Sequence, residues 1–242
     1  MTEAAILSVR AMTKSFGGFI ALDRVDLTVG QGERLGLIGP NGSGKSTLVN
    51  CISGVLRPDS GSIVFAGADI TGLLPHLRTR RGIARSFQIP QPFASMTVLE
   101  NLCIPLEYAA DGWRPRRDVV AEAREILALG GLGAKADERP AALTQIELRK
   151  LELARAMAAR PRLLIADEAM AGLSNAEVDD VLALLLALSE RGISIVMIEH
   201  IMRAVMQFSE RIVVLDAGRK IADGRPDDIV RDPAVERAYL GE

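Results

Sequence analysis

Cysteine is nearly absent: the 242 residues include two, Cys51 and Cys103. Two thiols cannot build a disulfide framework, and neither stands at a metal-ligand spacing, so the sequence reads as a reduced, cytosolic protein. Aromatic residues are scarce, at 4%, which leaves few rings on which bases could stack. Neither sign of charge dominates: 29 Lys and Arg stand against 31 Asp and Glu, a net charge of −2. No polyanion-binding surface is expected, and hence no nucleic acid partner. Long apolar runs are missing too. The longest, Val181 to Leu188, is far too short to cross a bilayer. The N-terminus lacks the basic-then-apolar order of a secretory signal. No internal repeat and no low-complexity linker is present. Hydrophobic residues make up 48% of the chain, enough to bury a sizeable core in one large domain or two intimate subdomains.

Against these absences stands one glycine-rich octapeptide, Gly39-Pro40-Asn41-Gly42-Ser43-Gly44-Lys45-Ser46. It fits the phosphate-loop pattern Gly-x4-Gly-Lys-[Ser/Thr] in full. Its flanks fit as well. Leu35-Gly36-Leu37-Ile38 reads as a buried strand, and Ser46-Thr47-Leu48-Val49-Asn50-Cys51-Ile52 as a helix ending near Gly54. Gly42 and Gly44 let the backbone turn its N–H groups inward, and the helix N-terminus adds partial positive charge. Lys45 would reach the β- and γ-phosphates, and the Ser46 hydroxyl would ligate Mg²⁺. The residues from Gly39 to Thr47 are therefore the nucleotide-binding candidates.

The rest of the chain reads as an α/β protein. Residues 5 to 30 alternate in strand fashion, ahead of the phosphate-loop strand. Residues 89 to 160 are mostly helical in pattern, punctuated by Pro90, Pro92, Gly112, Pro115 and Gly130-Gly131. Leu163 to Ala166 and Ser194 to Ile198 read as buried strands. The helix between them runs from about Asn175 to Glu190, with Ser174 and Glu177 as its capping box. Strand, helix, strand is a parallel crossover unit. Residues 211–215 and 220–222 flank an Ala217-Gly218 turn as in a hairpin, and short helices start near Pro226 and Pro233. The simplest architecture is a phosphate-loop NTPase core with a parallel sheet, an N-terminal antiparallel β subdomain and an inserted α-helical subdomain. Residues 1–88 and 161–242 would form the core with its β subdomain, and 89–160 the helical insertion.

Two further places carry chemistry. Asp167-Glu168 follows an apolar strand, where phosphate-loop enzymes keep the acidic residue that holds Mg²⁺. Asp167 fits that role, and Glu168 is the candidate general base. The competing reading is an acidic helix N-terminus favoured by the dipole. His200 follows the strand ending at Ile198-Glu199. At the carboxyl end of a parallel sheet it would face the same site, as a sensor of the γ-phosphate.

The order phosphate loop, Gln88, signature segment, Asp167-Glu168, His200 resembles the nucleotide-binding subunit of ABC transporters, from about Ile6 to Gly241. Several segments are similar, more narrowly, to the ATPase subunits of branched-chain amino-acid importers: Phe16-Gly17-Gly18, Met96 to Leu102, Ala171-Gly172-Leu173, Ile198-Glu199-His200 and Ala238-Tyr239-Leu240-Gly241. Lipopolysaccharide-export ATPases share several of them. The resemblance implies ATP and Mg²⁺ as cofactors. Phe16 would stack on adenine. Gln88 would contact Mg²⁺ and the attacking water and report to the membrane subunits. Pro90, Pro92, Phe93 and Met96 would help form the groove for a helix of those subunits, where the plain alternative is core packing.

One departure from the family pattern matters. Where the signature is normally Leu-Ser-Gly-Gly-Gln, this chain has Leu143-Thr144-Gln145-Ile146-Glu147. Ile146 replaces a glycine whose N–H would approach the γ-phosphate bound by the opposite subunit, and a β-branched residue is bulky and resists positive φ. Thr144 to Glu147 also reads as a helix capping box. Ser174 stands where the family often has Asp or Asn. The resemblance implies an ATP-hydrolysing peripheral subunit on the cytoplasmic face of the inner or plasma membrane, powering import of a small solute such as a branched-chain amino acid. Its implied partners are integral membrane subunits, a second ABC ATPase subunit and a periplasmic or extracellular solute-binding protein. The altered signature favours a heterodimer over a homodimer. An export-type ATPase and a nucleotide-gated module with slow hydrolysis are the alternatives.

Overall fold

The structure is a computed structural model that describes residues 5–87, 89–108 and 115–240. The chain opens with β1 (Ala5–Phe16) and β2 (Phe19–Gly30), a hairpin turning at Gly17-Gly18 that sets Phe16 opposite Phe19. β3 (Arg34–Ile38) leads through the phosphate loop into α1 (Lys45–Ser53). β4 (Ser60–Phe65), β5 (Ala68–Asp69), α2 (Pro75–Arg80) and β6 (Ile83–Ser86) follow. Three helices come next, α3 (Val98–Tyr108), α4 (Arg116–Leu129) and α5 (Gln145–Ala158). The chain then returns to the sheet with β7 (Leu163–Asp167), α6 (Asn175–Glu190), β8 (Ser194–Ile198), α7 (Met202–Phe208) and the hairpin β9 (Arg211–Asp216) and β10 (Arg219–Gly224). α8 (Pro226–Val230) and α9 (Pro233–Leu240) end it.

The strands form two sheets. A six-stranded sheet has the order β10-β9-β3-β8-β7-β6, parallel throughout except for the antiparallel edge strand β10. A four-stranded antiparallel sheet has the order β2-β1-β4-β5. Both faces of the large sheet are covered, which is why its central strands β3, β7 and β8 are largely apolar runs. Successive residues serve opposite faces. Leu35, Leu37, Ile165 and Val196 pack with α1 and the small sheet. Ile38, Leu164, Ala166, Ile195 and Met197 pack with α6, α7 and the inner side of α5. Helices α3, α4 and α5 close around a core of their own, through Leu102, Leu106, Val119, Leu127 and Leu151.

Both capping boxes form. The Ser174 N–H donates to Glu177 Oε2 at 2.8 Å, and the Thr144 N–H to Glu147 Oε2 at 2.8 Å. The far end of α1 is closed by Gly54, at φ 85°, and by Arg78 of α2. The Arg78 side chain is 1% exposed, and its guanidinium donates to the carbonyls of Cys51 at 2.6 Å, Ile52 at 2.8 Å, Leu73 at 3.0 Å and Thr71 at 2.9 Å. A cation on the last carbonyls complements the helix dipole.

Among the elements around the site, β6, α2 and α7 carry no sequence signal strong enough to predict them. β6 is four residues with an arginine in its middle, α2 is six residues opened by Pro75, and α7 is seven. Among the described residues no helix is long and apolar enough to cross a membrane.

Candidate functional site

The parallel order places three strand ends side by side. β8 lies between β3, which feeds the phosphate loop, and β7, which ends at Asp167. Their carboxyl ends open on a cavity of about 260 Å³ lined by the loop from Asn41 to Thr47, by Glu168 and His200, and by Phe16, Phe19 and Ala21. Ligands of open parallel sheets bind at such carboxyl ends.

The loop's shape depends on glycine at two points. Gly39 has φ 149°, and a Cβ there would stand 2.0 Å from the Leu215 carbonyl oxygen. Gly44 has φ 103°, and a Cβ there would stand 2.6 Å from the Ala21 carbonyl oxygen. Between them the backbone coils so that Ser43 N donates to Pro40 O at 3.2 Å. Burial raises the pKa of the Tyr239 hydroxyl on α9, and the Gly39 backbone opposes the shift. Lys45 is buried, with its ammonium donating to Gly39 O at 2.7 Å and Pro40 O at 2.9 Å. Burial lowers its pKa, while the Glu168 and Asp167 carboxylates oppose the shift. Ser46 is exposed at the helix start and faces the cavity.

Across the cavity, Glu168 and His200 meet: His200 Nε2 lies 2.9 Å from Glu168 Oε1. A carboxylate only accepts, so Nε2 carries the proton in this bond. Glu168 has φ 48°, a left-handed conformation that costs a non-glycine residue roughly 1–2 kcal/mol. Its N–H donates to Ile198 O at 2.9 Å. The neighbouring Glu199 is 3% exposed, and its Oε1 accepts from Met170 N at 2.8 Å. Burial pushes the Glu199 carboxyl above the usual carboxylate range.

Asp167 is buried and paired with Arg85 of β6. The guanidinium donates twice to Oδ2, at 2.5 Å and 3.2 Å, and once to Asn50 Oδ1 at 2.7 Å. Both bonds to Asp167 fall on one oxygen. Among the described residues no cluster of three or more His, Cys, Asp or Glu could hold a metal alone. The candidate donors are one hydroxyl, Ser46, which lines the cavity, and one carboxylate, Asp167, which is paired with Arg85 and is not among the lining residues. Such oxygen donors are what a hard cation shared with phosphate oxygens takes, so the residues fit Mg²⁺.

Gln88 lies outside the described residues. Phe16 lines the cavity at 46% exposure, with Lys14 Nζ 5.5 Å from its ring centroid. Phe19, which sequence reasoning did not single out, stands beside it at 65% exposure. The signal was present in Phe16-Gly17-Gly18-Phe19, since a two-residue hairpin loop sets its flanking residues opposite each other. Arg85 and Glu199 were also missed. Their partners lie far away along the chain, Asp167 at a separation of 82 residues and Met170 at 29.

The signature segment sits apart from this cavity. Thr144 is the N-cap of α5, and Ile146 packs its half-buried side chain against the main core. Glu147 bonds back to Thr144, and these bonds hold its carboxyl below the usual range. Phe93 and Met96 are not core residues. Phe93 is 42% exposed, with Arg155 5.0 Å from its ring centroid. It lines an apolar groove of about 520 Å³ together with Phe87, Ile104, Pro105 and Tyr108. Buried Asn101 fixes this loop, accepting from Phe93 N at 2.8 Å and donating to Phe93 O at 3.2 Å and Thr97 O at 2.9 Å.

Known proteins agree with this architecture. A family model described as ABC transporter matches residues 22–171, and one described as branched-chain amino acid ATP-binding cassette transporter matches residues 219–242. The high-affinity branched-chain amino acid transport ATP-binding protein BraF of Pseudomonas aeruginosa is 38% identical, over 98% of each chain. The lipopolysaccharide export system ATP-binding protein LptB of Haemophilus influenzae is 35% identical, also over 98% of each. Among solved structures, the ADP conformation of MJ1267, an ATP-binding cassette of an ABC transporter, superposes with a TM-score of 0.89 at 35% identity, covering 99% of this chain and 100% of that one. The dimeric post-hydrolysis cassette MJ0796 bound to ADP and Pi has a TM-score of 0.81 at 27% identity, covering 91% of this chain and 98% of that one. With its phosphate loop, its Glu168–His200 pair and these relatives along its whole length, the chain belongs to the ABC transporter ATP-binding family, whose members hydrolyse ATP.

Proposed function

We propose that the chain binds ATP–Mg²⁺ through its phosphate loop and hydrolyses it to power import of a small solute, such as a branched-chain or related amino acid. The observation that carries the chemistry is the 2.9 Å bond from His200 to Glu168 across the cavity from Lys45. Lys45 and the loop N–H groups hold the phosphates, and Ser46 and Asp167 hold the cation, with Gln88 as a further ligand. When bound, the cation neutralises charge developing on the phosphoryl oxygens. Glu168 takes a proton from the water that attacks the γ-phosphorus. The bond to the β,γ-bridging oxygen breaks, and ADP and phosphate leave. His200 orients Glu168 and senses the γ-phosphate. Phe16, with Phe19 beside it, offers an aromatic face to adenine.

The solute reading rests on BraF and on the C-terminal match. The similarity to LptB favours an export-type ATPase as the second reading. In either case the chain sits peripherally on the cytoplasmic face of the membrane. The apolar groove at Phe87 and Phe93 takes a helix of the membrane subunit, and for import the complex includes a solute-binding protein. A second ATPase subunit completes the nucleotide sandwich. Thr144, Gln145, Ile146 and Glu147 give this chain a weak tip to offer that subunit: Ile146 adds bulk, and Glu147 adds a negative charge where a phosphate would approach. A heterodimer with a subunit carrying a regular signature follows.

Glu168→Gln tests the mechanism. It keeps the shape and removes the base, so ATP affinity should persist while turnover falls by about 10²–10⁴-fold. Near-normal turnover would move the base elsewhere.

A further inference from the structure

We infer that Glu199 is a positioning residue for hydrolysis: its buried carboxylate holds the turn that carries Glu168 against the strand end that carries His200. The inference rests on the reading of Glu168 as the base.

The observations converge on one backbone kink. β7 stops at Asp167, and Glu168 takes a left-handed φ of 48°, which a residue with a Cβ holds only when its surroundings enforce it. Two consecutive residues at the end of β8 bracket that kink. The Ile198 carbonyl accepts from the Glu168 N–H at 2.9 Å, and the Glu199 carboxylate accepts from the Met170 N–H at 2.8 Å. One side chain, directly before His200 in the chain, thus bonds the backbone two residues beyond Glu168.

A plain structural acceptor would not have to be a carboxylate. Burying one is costly unless hydrogen bonds compensate, and Glu199 is only 3% exposed. What a carboxylate adds is a charge-assisted bond to the Met170 N–H, stronger than a neutral acceptor would make. That lets a single group fix the spacing between two segments. Releasing Met170 would let the kink relax toward the right-handed region and swing the Glu168 side chain away from His200 Nε2. The nucleotide cavity on the phosphate-loop side would be untouched, because Glu199 contributes nothing to its lining.

The test compares Glu199→Ala and the near-isosteric Glu199→Gln, each alone and combined with Glu168→Gln, in the transporter complex. Turnover is read beside the equilibrium affinity for a fluorescent ATP analogue. Glu199→Ala should lower kcat by about 10–100-fold, the scale of a misplacement near 1 Å, with affinity held within about twofold. Glu199→Gln keeps one acceptor and should lose about 3–10-fold. In the Glu168→Gln background, either substitution should change kcat by less than about twofold, because a residue acting through Glu168 has nothing left to position. If Glu199→Ala does not fold, Glu199→Gln supports the same comparison. Unchanged kcat, equal losses in both backgrounds, or a loss of affinity matching the loss of turnover would each overturn the inference. Near-normal kcat in Glu168→Gln alone would instead remove the base reading, a distinguishable outcome.

Discussion

Lys45 is a cation held ready by its own loop. Its ammonium rests on the Gly39 and Pro40 carbonyls, neutral acceptors that a charged phosphate would outcompete. Such residues were legible from spacing alone, because the phosphate-loop pattern is local: eight consecutive positions fix both chemistry and backbone. Arg85 and Glu199 were not legible, because their meaning lies in partners that only the folded sheet brings near. Asp59 belongs to that second class and has a measurable consequence. Its carboxylate accepts from Lys14 Nζ and from the Ser15 N–H and hydroxyl, each at 2.7 Å. The Lys14 bond first, and then those from Ser15, lower its pKa from 3.8 to about 2. Folding therefore favours the charged form. The stabilisation is complete above the unfolded value and is lost as pH falls through the folded one. Asp59→Asn should melt below wild type by a constant margin from pH 7 to about 5. The margin should close as the pH drops from about 4 toward 2. A margin independent of pH would show that the bonds, and not the charge, carry the effect.

At the scale of elements, legibility followed length and pattern. β7, β8 and α6 announce themselves through buried apolar runs and a Ser174–Glu177 box. β6 hides because Arg85, in the middle of its four residues, turns to Asp167 and not to solvent. α2 hides because six residues show less than two turns of periodicity. Yet α2 supplies the anchor for the helix that follows the phosphate loop. The four carbonyls taken by Arg78 include two from the last turn of α1. Arg78→Met would keep the apolar stem and leave these acceptors without a partner. At about 1–3 kcal/mol per buried orphan, partly relieved by water, the loss should be roughly 3 kcal/mol. For a chain of this size that lowers the melting temperature by about 6–12 °C. ATP affinity of the folded fraction should stay near wild type, since the loop end of α1 keeps its contacts. A normal melting temperature would show that α1 ends without Arg78.

At the scale of the molecule, the proposed nucleotide cavity and the proposed partner surface differ. The cavity is lined by the loop, Glu168 and His200, whereas the α5 tip is closed on itself by the Thr144–Glu147 box. The purified chain should therefore hydrolyse ATP slowly, and a related subunit with a glycine-containing signature should raise the rate well beyond the sum of the two. Brisk hydrolysis by the isolated chain, rising with its own concentration as for self-association, would sink the asymmetric arrangement. The strand order has a further consequence, for the chain as it is made. β8 is the middle of the three strands that carry the site, and it is translated after both of its neighbours: Gly36 pairs with Met197, and Ala166 with the same residue. Until β8 leaves the ribosome, β3 and β7 have a gap between them, and the phosphate loop has no opposing Glu168–His200 pair to face. The site can therefore assemble only once β8 has been made and has inserted between strands that precede it in the chain.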